Sequence, residues 1–314
     1  MQFLSALLSS MPGAIAQGLI WGIMAIGVYI TYKILDIADL TVDGSLCTGG
    51  AVCVILTLNG VSTPVALIAS VLVGMAAGFI TGIFHTAFGI PAILAGILTQ
   101  LALYSINLHI MGWGTDNGSK ANLPISVDKY NLLVSSRYVR NLAANNPLLI
   151  LAIVVVIIIL IMYWFFGTEL GASLRATGAN SNMARAQGIN TNFTKVLGLM
   201  ISNGLVTLSG ALLSQYQGFS DINMGRGAIV IGLAAVIIGE VIFDKIFRNF
   251  GLKLLGCVIG AIIYYVVIQI VLKMGLSTDD LKLLTAVVVA LFLAIPYWKG
   301  KYFNKAKKEG AKNA

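Results

Sequence analysis

Three aspartates stand close together in the stretch YKILDIADLTVDGS, where the surrounding residues are largely apolar. A carboxylate at membrane depth is costly, so such groups usually face a cavity and mark the route of a polar solute. Glycine beside a carboxylate permits a broken helix, and unwound backbone lining a cavity is a common way to build a polar site in a membrane. The candidates for such a pathway are Asp39, Asp43, Gly44 and Ser45.

The alternative for this stretch is a cytoplasmic turn, with solvated carboxylates or carboxylates that cap the next helix. That alternative stays open for Asp36 and Asp39. For Asp43, which is followed directly by Gly44 and Ser45, we favour the pathway.

A similar segment occurs in the second half of the chain, in GFSDINMGRGAIV. Asp221 and Asn223 follow a long apolar run there, as the first aspartates do. Two related segments of this kind would surround one pathway. We therefore add Asp221 and Asn223 to the candidate pathway residues.

Other reactive side chains form no recognisable site. The three cysteines, Cys47, Cys53 and Cys257, lie in apolar runs without metal-ligand spacing, and we expect them to be small buried residues. The two histidines have no neighbours that would complete a metal site. The stretch GWGTDNGSK lacks the order of glycines, lysine and hydroxyl residue that a phosphate-binding loop needs. We expect no catalytic residue, metal or cofactor on this chain.

Composition identifies the class of protein that must position these residues. The 314 residues are 58% hydrophobic and only 10% charged, and the mean hydropathy is +0.91. Soluble domains carry about 25% charged residues. The apolar runs are continuous rather than alternating, which predicts a helical bundle and not a β-barrel.

We expect an all-α, polytopic membrane protein with about 8 to 10 transmembrane helices, since a helix needs about 20 apolar residues to cross the membrane. The candidate spans are 14–33, 46–58 (a short one), 64–84, 90–111, 147–166, 196–215, 226–243, 251–272 and 281–298. Glycines at helical spacing, such as Gly74, Gly78 and Gly82, predict close helix packing. The transmembrane domain would cover 1–298, and 299–314 would form a basic tail.

Lysine and arginine set the orientation, because they accumulate on the cytoplasmic side. The tail after Trp298 carries six lysines and one acidic residue, which places it inside. Counting back places 167–195 and 244–250 inside, and 112–146, 216–225 and 273–280 outside. We expect anionic membrane lipid, and not nucleic acid, as the partner of the tail.

The polar segment 167–195 separates two strongly apolar runs and is much longer than a minimal connection. Within it, GASLRATGANSNMARAQGI resembles the cytoplasmic loop of bacterial ABC-type permeases, in the branch that includes importers of branched-chain amino acids, ribose and nucleosides. The matching positions are Gly171, Leu174, Arg175, Ala176, Gly178, Asn180, Ala184, Arg185, Gly188 and Ile189. The stretch DLTVDGS is most similar to permeases paired with binding lipoproteins for aromatic amino acids (tryptophan or tyrosine).

The resemblance implies that this loop forms short coupling helices that dock on a separate ATPase subunit, which binds ATP and Mg. Asn180 or Ser181 could cap a short helix over 182–187, slim because of its alanines. Arg175 and Arg185 could pair with acids of the ATPase or with lipid phosphates. The coupling candidates are Leu174, Arg175, Ala176, Gly178, Asn180, Ala184, Arg185 and Gly188. An amphipathic helix that only lies on the membrane is the alternative.

The resemblance further implies a binding-protein-dependent importer in the bacterial cytoplasmic membrane. Two ATPase copies, an extracytoplasmic binding protein or lipoprotein and a second permease copy would complete it. The docking candidates for the binding protein are Arg226, Lys273, Asp279 and Asp280. The cargo would be a small polar solute, most plausibly an amino acid; branched-chain amino acids and nucleosides stay open. An ion-coupled secondary transporter and an accessory membrane protein are the rival classes.

Overall fold

The computed structural model describes residues 2–114, 118–126, 129–139, 146–243, 246, 249–273, 283, 286–291 and 294. Within these residues the protein is a bundle of helices with one small two-stranded sheet. The helices are α1 (Gln2–Tyr29), α2 (Val42–Leu58), α3 (Thr63–Thr86), α4 (Ala92–Met111), α5 (Pro147–Gly167), α6 (Glu169–Ala179), α7 (Ser181–Ala186), α8 (Thr191–Gln217), α9 (Ala228–Phe243) and α10 (Phe250–Lys273). A π-helical turn, Ile30–Ile34, extends α1, and a short 3-10 helix spans Ser136–Tyr138.

Six of the described helices are long and apolar enough to cross a membrane, and α2 and α9 are shorter apolar helices. The expectation of an all-α polytopic membrane protein is therefore confirmed. The first candidate span, Leu7–Ile34, starts earlier than the predicted 14–33, and α1 itself is helical from Gln2. The predicted span 281–298 and the tail 299–314 lie mostly or wholly outside the described residues.

The centre of the bundle is formed by α1 and α8, the two most buried of the long helices. They run antiparallel, and serines of α8 join them by donating to α1 carbonyls: Ser202 Oγ to Gly27 O over 2.8 Å, and Ser209 Oγ to Ile20 O over 2.7 Å. These hydroxyls satisfy their hydrogen-bonding needs without water, as polar groups inside a membrane bundle must.

The other helices pack around this pair with small residues at the closest contacts. Gly74, Gly78 and Gly82 of α3 all face α8, where an added Cβ would collide with backbone or side-chain atoms. The predicted glycine face is therefore a packing face. The three cysteines are buried and unpaired, as predicted.

One end of the bundle gathers the C-terminal ends of α1, α5 and α9 with α6, α7 and the start of α10; we call it the α6–α7 end. Lys33 and Glu240 form an ion pair there, with 3.0 Å between Nζ and Oε1. At the opposite end, called the outer end, β1 (Asn122–Pro124) pairs antiparallel with β2 (Phe219–Asp221). The segment 167–195 thus lies at one end, and the described parts of 112–146 and 216–225 lie at the other, as the predicted topology requires. That the α6–α7 end is the cytoplasmic one stays a prediction.

Candidate functional site

Two interrupted segments meet inside the bundle. The first leaves helical geometry after Ile34 and resumes as α2 at Val42; the second runs from the end of α8, through β2, to the start of α9. The 17 residues of α2 and the 16 of α9 extend only about 25 Å each, short of the ~30 Å of hydrocarbon. Both short helices therefore begin within the bundle, and their N-termini come together.

Asp43 joins these two N-termini. It lies in the first turn of α2, and its carboxylate accepts from the backbone of the second segment: Oδ2 from Gly227 N at 2.9 Å and Oδ1 from Ile229 N at 3.0 Å. A carboxylate is favoured at a helix N-terminus because it satisfies orphan N–H groups and complements the helix dipole. Asp43 thus caps α9 from another helix. The turn hypothesis allowed a cap on the next helix along the chain, whereas the helix capped here is far away in sequence.

Asp39 belongs to a buried polar cluster with Asn203 and Ser45. The Asn203 side chain, near the middle of α8, donates from Nδ2 to Asp39 Oδ2 over 2.7 Å. Its Oδ1 accepts from Ser45 Oγ over 2.6 Å, and the other Asp39 oxygen accepts from the Thr41 backbone N–H over 2.9 Å. Asp39 is only 1% exposed and Asn203 and Ser45 are fully buried, so these bonds replace hydration for all three.

A chain of threonines continues this cluster from the break before α2 to α3 and α4. Thr41 and Thr81 approach with 2.8 Å between their hydroxyl oxygens, and Thr81 donates to Thr99 over 2.9 Å. Thr81 lies on α3 and Thr99 on α4, and all three are buried. The break before α2 is therefore held by hydroxyl contacts as well as by Asp39. Asp36, at the same break, has φ of 55°, a left-handed conformation that aspartate tolerates better than most residues.

Asp221 and Asn223 lie where the second segment passes α2. Asp221 ends β2 and accepts from the Asn223 backbone N–H over 2.7 Å and from Asn122 Nδ2 over 3.3 Å. The thiol of Cys47, one turn above Asp43, donates to the carbonyls of Asp221 and Ile222. Asn223 is exposed, whereas Asp221 is half-buried. The second segment thus lies along the first turns of α2.

The structure brings Asp39 and Ser45 together, because both bond to Asn203. Asp43 lies one helical turn before Cys47, whose thiol contacts the Asp221 carbonyl. Gly44 contacts Gln100 and Leu103 of α4, which is a packing role. The sequence analysis missed the central member, Asn203, and the threonines Thr41, Thr81 and Thr99. The signal was present: SNGLVTLSG places several polar side chains in an apolar span, where each needs a buried partner.

Short helices α6 and α7 form a compact unit at the α6–α7 end. Asn180 caps α7 through its Oδ1, which accepts from Met183 N over 3.0 Å, as the cap hypothesis predicted. The helix ends at Ala186, one residue before the predicted 187. Gly188, with φ of 83°, has the left-handed conformation that stops a helix at little cost only when glycine is present.

Several residues of this unit hold it against the bundle. Leu174 is fully buried, and Gly178 lies so close to the Ile34 carbonyl that no side chain fits between them. Arg175 is exposed, but it donates from Nη2 to Phe166 O over 2.7 Å, and its guanidinium lies over the Phe250 ring. Ala184 is only 3% exposed, so its small size serves internal packing.

The outward surface of the unit is formed by other side chains. Met183 is 63% exposed and Phe193, at the start of α8, is 53% exposed. Arg185 is also exposed, although its Nη2 donates to Thr191 Oγ1 over 3.2 Å. Ala176 is half-buried between the two sets. A partner that approaches this end would meet an apolar methionine and phenylalanine flanked by one arginine.

Two of the four residues predicted to dock the binding protein lie in the described part of the chain. Arg226 is exposed in the second interrupted segment, and Lys273 is exposed at the end of α10. Asp279 and Asp280 lie outside the described residues. In the described part of the chain, no three His, Cys, Asp or Glu side chains are arranged to hold a metal ion.

Comparison with known proteins identifies relatives that match most of the chain. The family described as branched-chain amino acid transport system permease component matches residues 10–296. The tyrosine transport system permease protein of Clostridioides difficile is 42% identical, over 91% of both chains. The autoinducer 2 import system permease protein LsrC of Escherichia coli is 30% identical, over 83% of this chain and 70% of its own.

A solved structure shares the fold at low sequence identity. PsaBC from Streptococcus pneumoniae, in complex with Fab, aligns with a TM-score of 0.53 and 15% identity, covering 93% of this chain and 94% of that one. The family match and the apolar helices agree with a multi-pass protein of the bacterial inner membrane. The chain belongs to the branched-chain amino acid transport system permease family, the ABC permease branch expected from its loop motif.

Proposed function

We propose that this chain is the translocating subunit of an ATP-driven importer for an aromatic amino acid, with tyrosine as the first candidate. The observation that carries the proposal is the α6–α7 unit: a capped helix, fixed to the bundle by Leu174 and Gly178, that presents Met183 outward. A rigid projection of this kind can transmit movement of an attached ATPase into the membrane domain. The preference for tyrosine rests on the 42% identical relative named as a tyrosine permease.

The partners in this proposal are two copies of an ATPase subunit, which would bind ATP and Mg, and an extracytoplasmic binding protein that delivers the cargo. A second copy of the chain would complete a symmetric pathway, because a single set of interrupted helices offers one wall only. The pathway would pass the place where the N-termini of α2 and α9 meet. Asp43 would then control local geometry by holding α9, and would not serve as a fixed charge for the solute.

Reconstitution tests the function. The chain is purified with its co-purifying subunits, identified by mass spectrometry, and placed in liposomes that contain ATP inside and the binding protein outside. We expect uptake of labelled tyrosine that needs both ATP and the binding protein. Leucine and adenosine serve as competitors for the two other cargo classes, and either one outcompeting tyrosine would refute the aromatic assignment.

The same liposomes separate the importer from an ion-coupled transporter. Uptake driven by a proton or sodium gradient, without ATP, would contradict the proposal and would give the buried Asp39 a coupling role. Failure of any ATPase to co-purify with the chain from the native membrane would favour an accessory protein instead.

A further inference from the structure

One edge of α4 carries polar side chains deep within the membrane-spanning part of the bundle. Gln100, Tyr104 and Asn107 follow one another at helical spacing, so they lie on the same side of the helix. Counted back from Met111, where α4 ends, Tyr104 lies about 10 Å and Gln100 about 16 Å along the helix. Gln100 is therefore near the middle of the ~30 Å of hydrocarbon. We call these three residues the polar edge of α4.

Two other long helices show what a lipid-facing surface of this protein looks like. In α3 and α5 every exposed side chain is apolar, apart from Tyr163 and Trp164 at the end of α5. Tyrosine and tryptophan favour the membrane interface, and those two residues lie at that level. Tyr104 is 43% exposed but lies well below the end of its helix. The polar edge therefore differs from the surfaces that contact lipid.

The exposed polar groups of this edge are not satisfied within the protein. In the described part of the chain, neither the Gln100 amide nor the Tyr104 hydroxyl has a hydrogen-bond partner. The hydroxyl of Thr99, on the same helix, instead donates to Ala95 O over 3.1 Å. Hydrocarbon offers no partner for an amide or a hydroxyl, so such groups face water, a solute or another protein surface.

The polar edge lies beside the first turn of α2. The Gln100 backbone is so close to Gly44 that an added Cβ there would approach its Cα to 3.2 Å. Asn107 donates from Nδ2 to Gly44 O over 3.4 Å, and its buried Oδ1 has no partner in the described part of the chain. That oxygen can accept from a solute or water that enters between the helices. The edge is thus next to Asp43, where the proposed pathway passes.

We propose that the polar edge of α4 is a wall of the translocation pathway and contacts the cargo. The Tyr104 ring would stack against the aromatic ring of the amino acid. The Gln100 amide, which offers both an acceptor and donors, would bond to the ammonium and carboxylate groups. A few polar groups beside an apolar surface are typical of sites for small molecules. This inference rests on the proposed function and adds to it the residues that select an aromatic solute.

Thiol labelling tests whether the edge faces water and cargo. Tyr104→Cys and Ile106→Cys are each made in the full-length chain without Cys47, Cys53 and Cys257 and placed in nanodiscs with the co-purifying ATPase. Ile106 is the matched control, because it is 47% exposed at a similar depth but on the other side of α4. A charged methanethiosulfonate reagent should modify position 104 many-fold faster than position 106. Free tyrosine should slow the reaction at position 104 several-fold and leave position 106 unchanged.

Uptake by variants separates contact with the cargo from a structural role. Tyr104→Phe keeps the ring and should retain tyrosine uptake in the liposome assay. Tyr104→Leu and Gln100→Leu should each reduce uptake several-fold while the ATPase still co-purifies, although leucine would be well tolerated at a lipid-facing position. Ile106→Ala should transport as the unchanged protein does. Equal uptake by Tyr104→Phe and Tyr104→Leu would contradict a contact between the two rings.

The labelling results can overturn the proposal in three ways. Equally slow reaction at positions 104 and 106 would assign the edge to lipid. A disulfide between two copies of Tyr104→Cys under mild oxidation would assign it to the contact between permease copies. Fast labelling that no solute slows would exclude contact with the cargo. Protection by leucine or adenosine, and not by tyrosine, would keep the wall and contradict the aromatic cargo, so the inference and the proposed function can fail separately.

Discussion

The Asn203 amide donates to the Asp39 carboxylate over 2.7 Å, and this bond connects the break before α2 to the middle of α8. The two residues are 164 positions apart in sequence, and the bond fixes their segments to each other at the centre of the bundle. Since α8 also follows the α6–α7 unit along the chain, the bond links that unit to the interrupted segment.

Replacing Asp39 or Asn203 by alanine should destabilise the protein by about 1 to 3 kcal/mol each, because each change leaves a buried polar partner unsatisfied. The double variant should cost less than the sum by about 1 kcal/mol, as expected for residues in direct contact. Free energies of unfolding, from SDS titration in mixed micelles, measure this. Ser209→Ala, which removes a different buried bond of α8, should add to Asp39→Ala without coupling; additivity in both pairs would contradict the contact.

Asp43→Ala should destabilise the start of α9 by about 0.5 to 2 kcal/mol, the usual cost of losing an N-cap. Asp43→Asn should cost less, since one amide oxygen can still accept from Gly227 or Ile229. Both should lower tyrosine uptake while preserving assembly with the ATPase. Asn146→Ala removes the cap of α5, where Oδ1 accepts from Leu148 N over 2.9 Å, and should reduce stability without comparable loss of uptake. Normal uptake by Asp43→Ala would remove this residue from the mechanism.

A cysteine at position 43 should report movement of the two short helices. In a background without Cys47, Cys53 and Cys257, a small hydrophilic thiol reagent should modify it at a rate that changes with ATP or with the binding protein. The reason is that position 43 is half-buried and loses its contacts if α9 moves away from α2. A single rate under all conditions would place Asp43 in a static structural joint.

Met183→Glu should prevent productive docking of the ATPase while leaving the fold intact. This side chain is 63% exposed on the outward surface of α7, so the new charge is tolerated in the isolated chain but not in an apolar contact. Co-purification of the ATPase and ATP hydrolysis stimulated by cargo measure the effect. Tyr138→Glu, at a 45% exposed aromatic of the outer end, is the matched control. Full coupling in Met183→Glu would move the contact elsewhere.

Arg226→Gln should slow association with the binding protein several-fold at low ionic strength and leave dissociation nearly unchanged, because exposed charges at an interface steer encounter more than they tighten it. Surface plasmon resonance across a salt series gives both rates. Lys195→Gln, at the α6–α7 end, should behave as the unchanged protein. Rates independent of salt would exclude an electrostatic encounter at this surface.

Much of the fold was predictable because hydropathy reports lipid contact. The six long helices followed from apolar runs, and the capped α7 followed from Asn180. The sidedness inferred from the basic residues stays a prediction. The short helices were harder to predict. The span 46–58 was recognised as short, yet nothing in sequence places the start of α2 at Val42, because polar residues stand on both sides of it: Asp39 and Thr41 before, Asp43 and Ser45 after.

The residues of the site could be predicted from the sequence, but their hydrogen-bond partners could not. Asp39, Asp43 and Ser45 stood out as polar groups among apolar ones, but their partners come from α8 and α9. Ala184 illustrates the limit: a small residue indicates a close neighbour, and only the packing shows that the neighbour belongs to the same chain. Asn203 was overlooked because the sequence of α8, which has several small polar residues, does not show which of them binds a distant carboxylate such as Asp39.

The pairing of β1 with β2 has a mechanical consequence. It joins the loop that contains β1 to β2 by hydrogen bonds, and β2 ends six residues before Gly227, which donates to Asp43. The residues between Asp221 and Gly227 form consecutive turns, in which Met224 N donates to Asp221 O and Arg226 N donates to Asn223 O. A short connection with its own hydrogen bonds has little slack, so we expect the outer loop and the start of α9 to shift together when a partner presses on the loop.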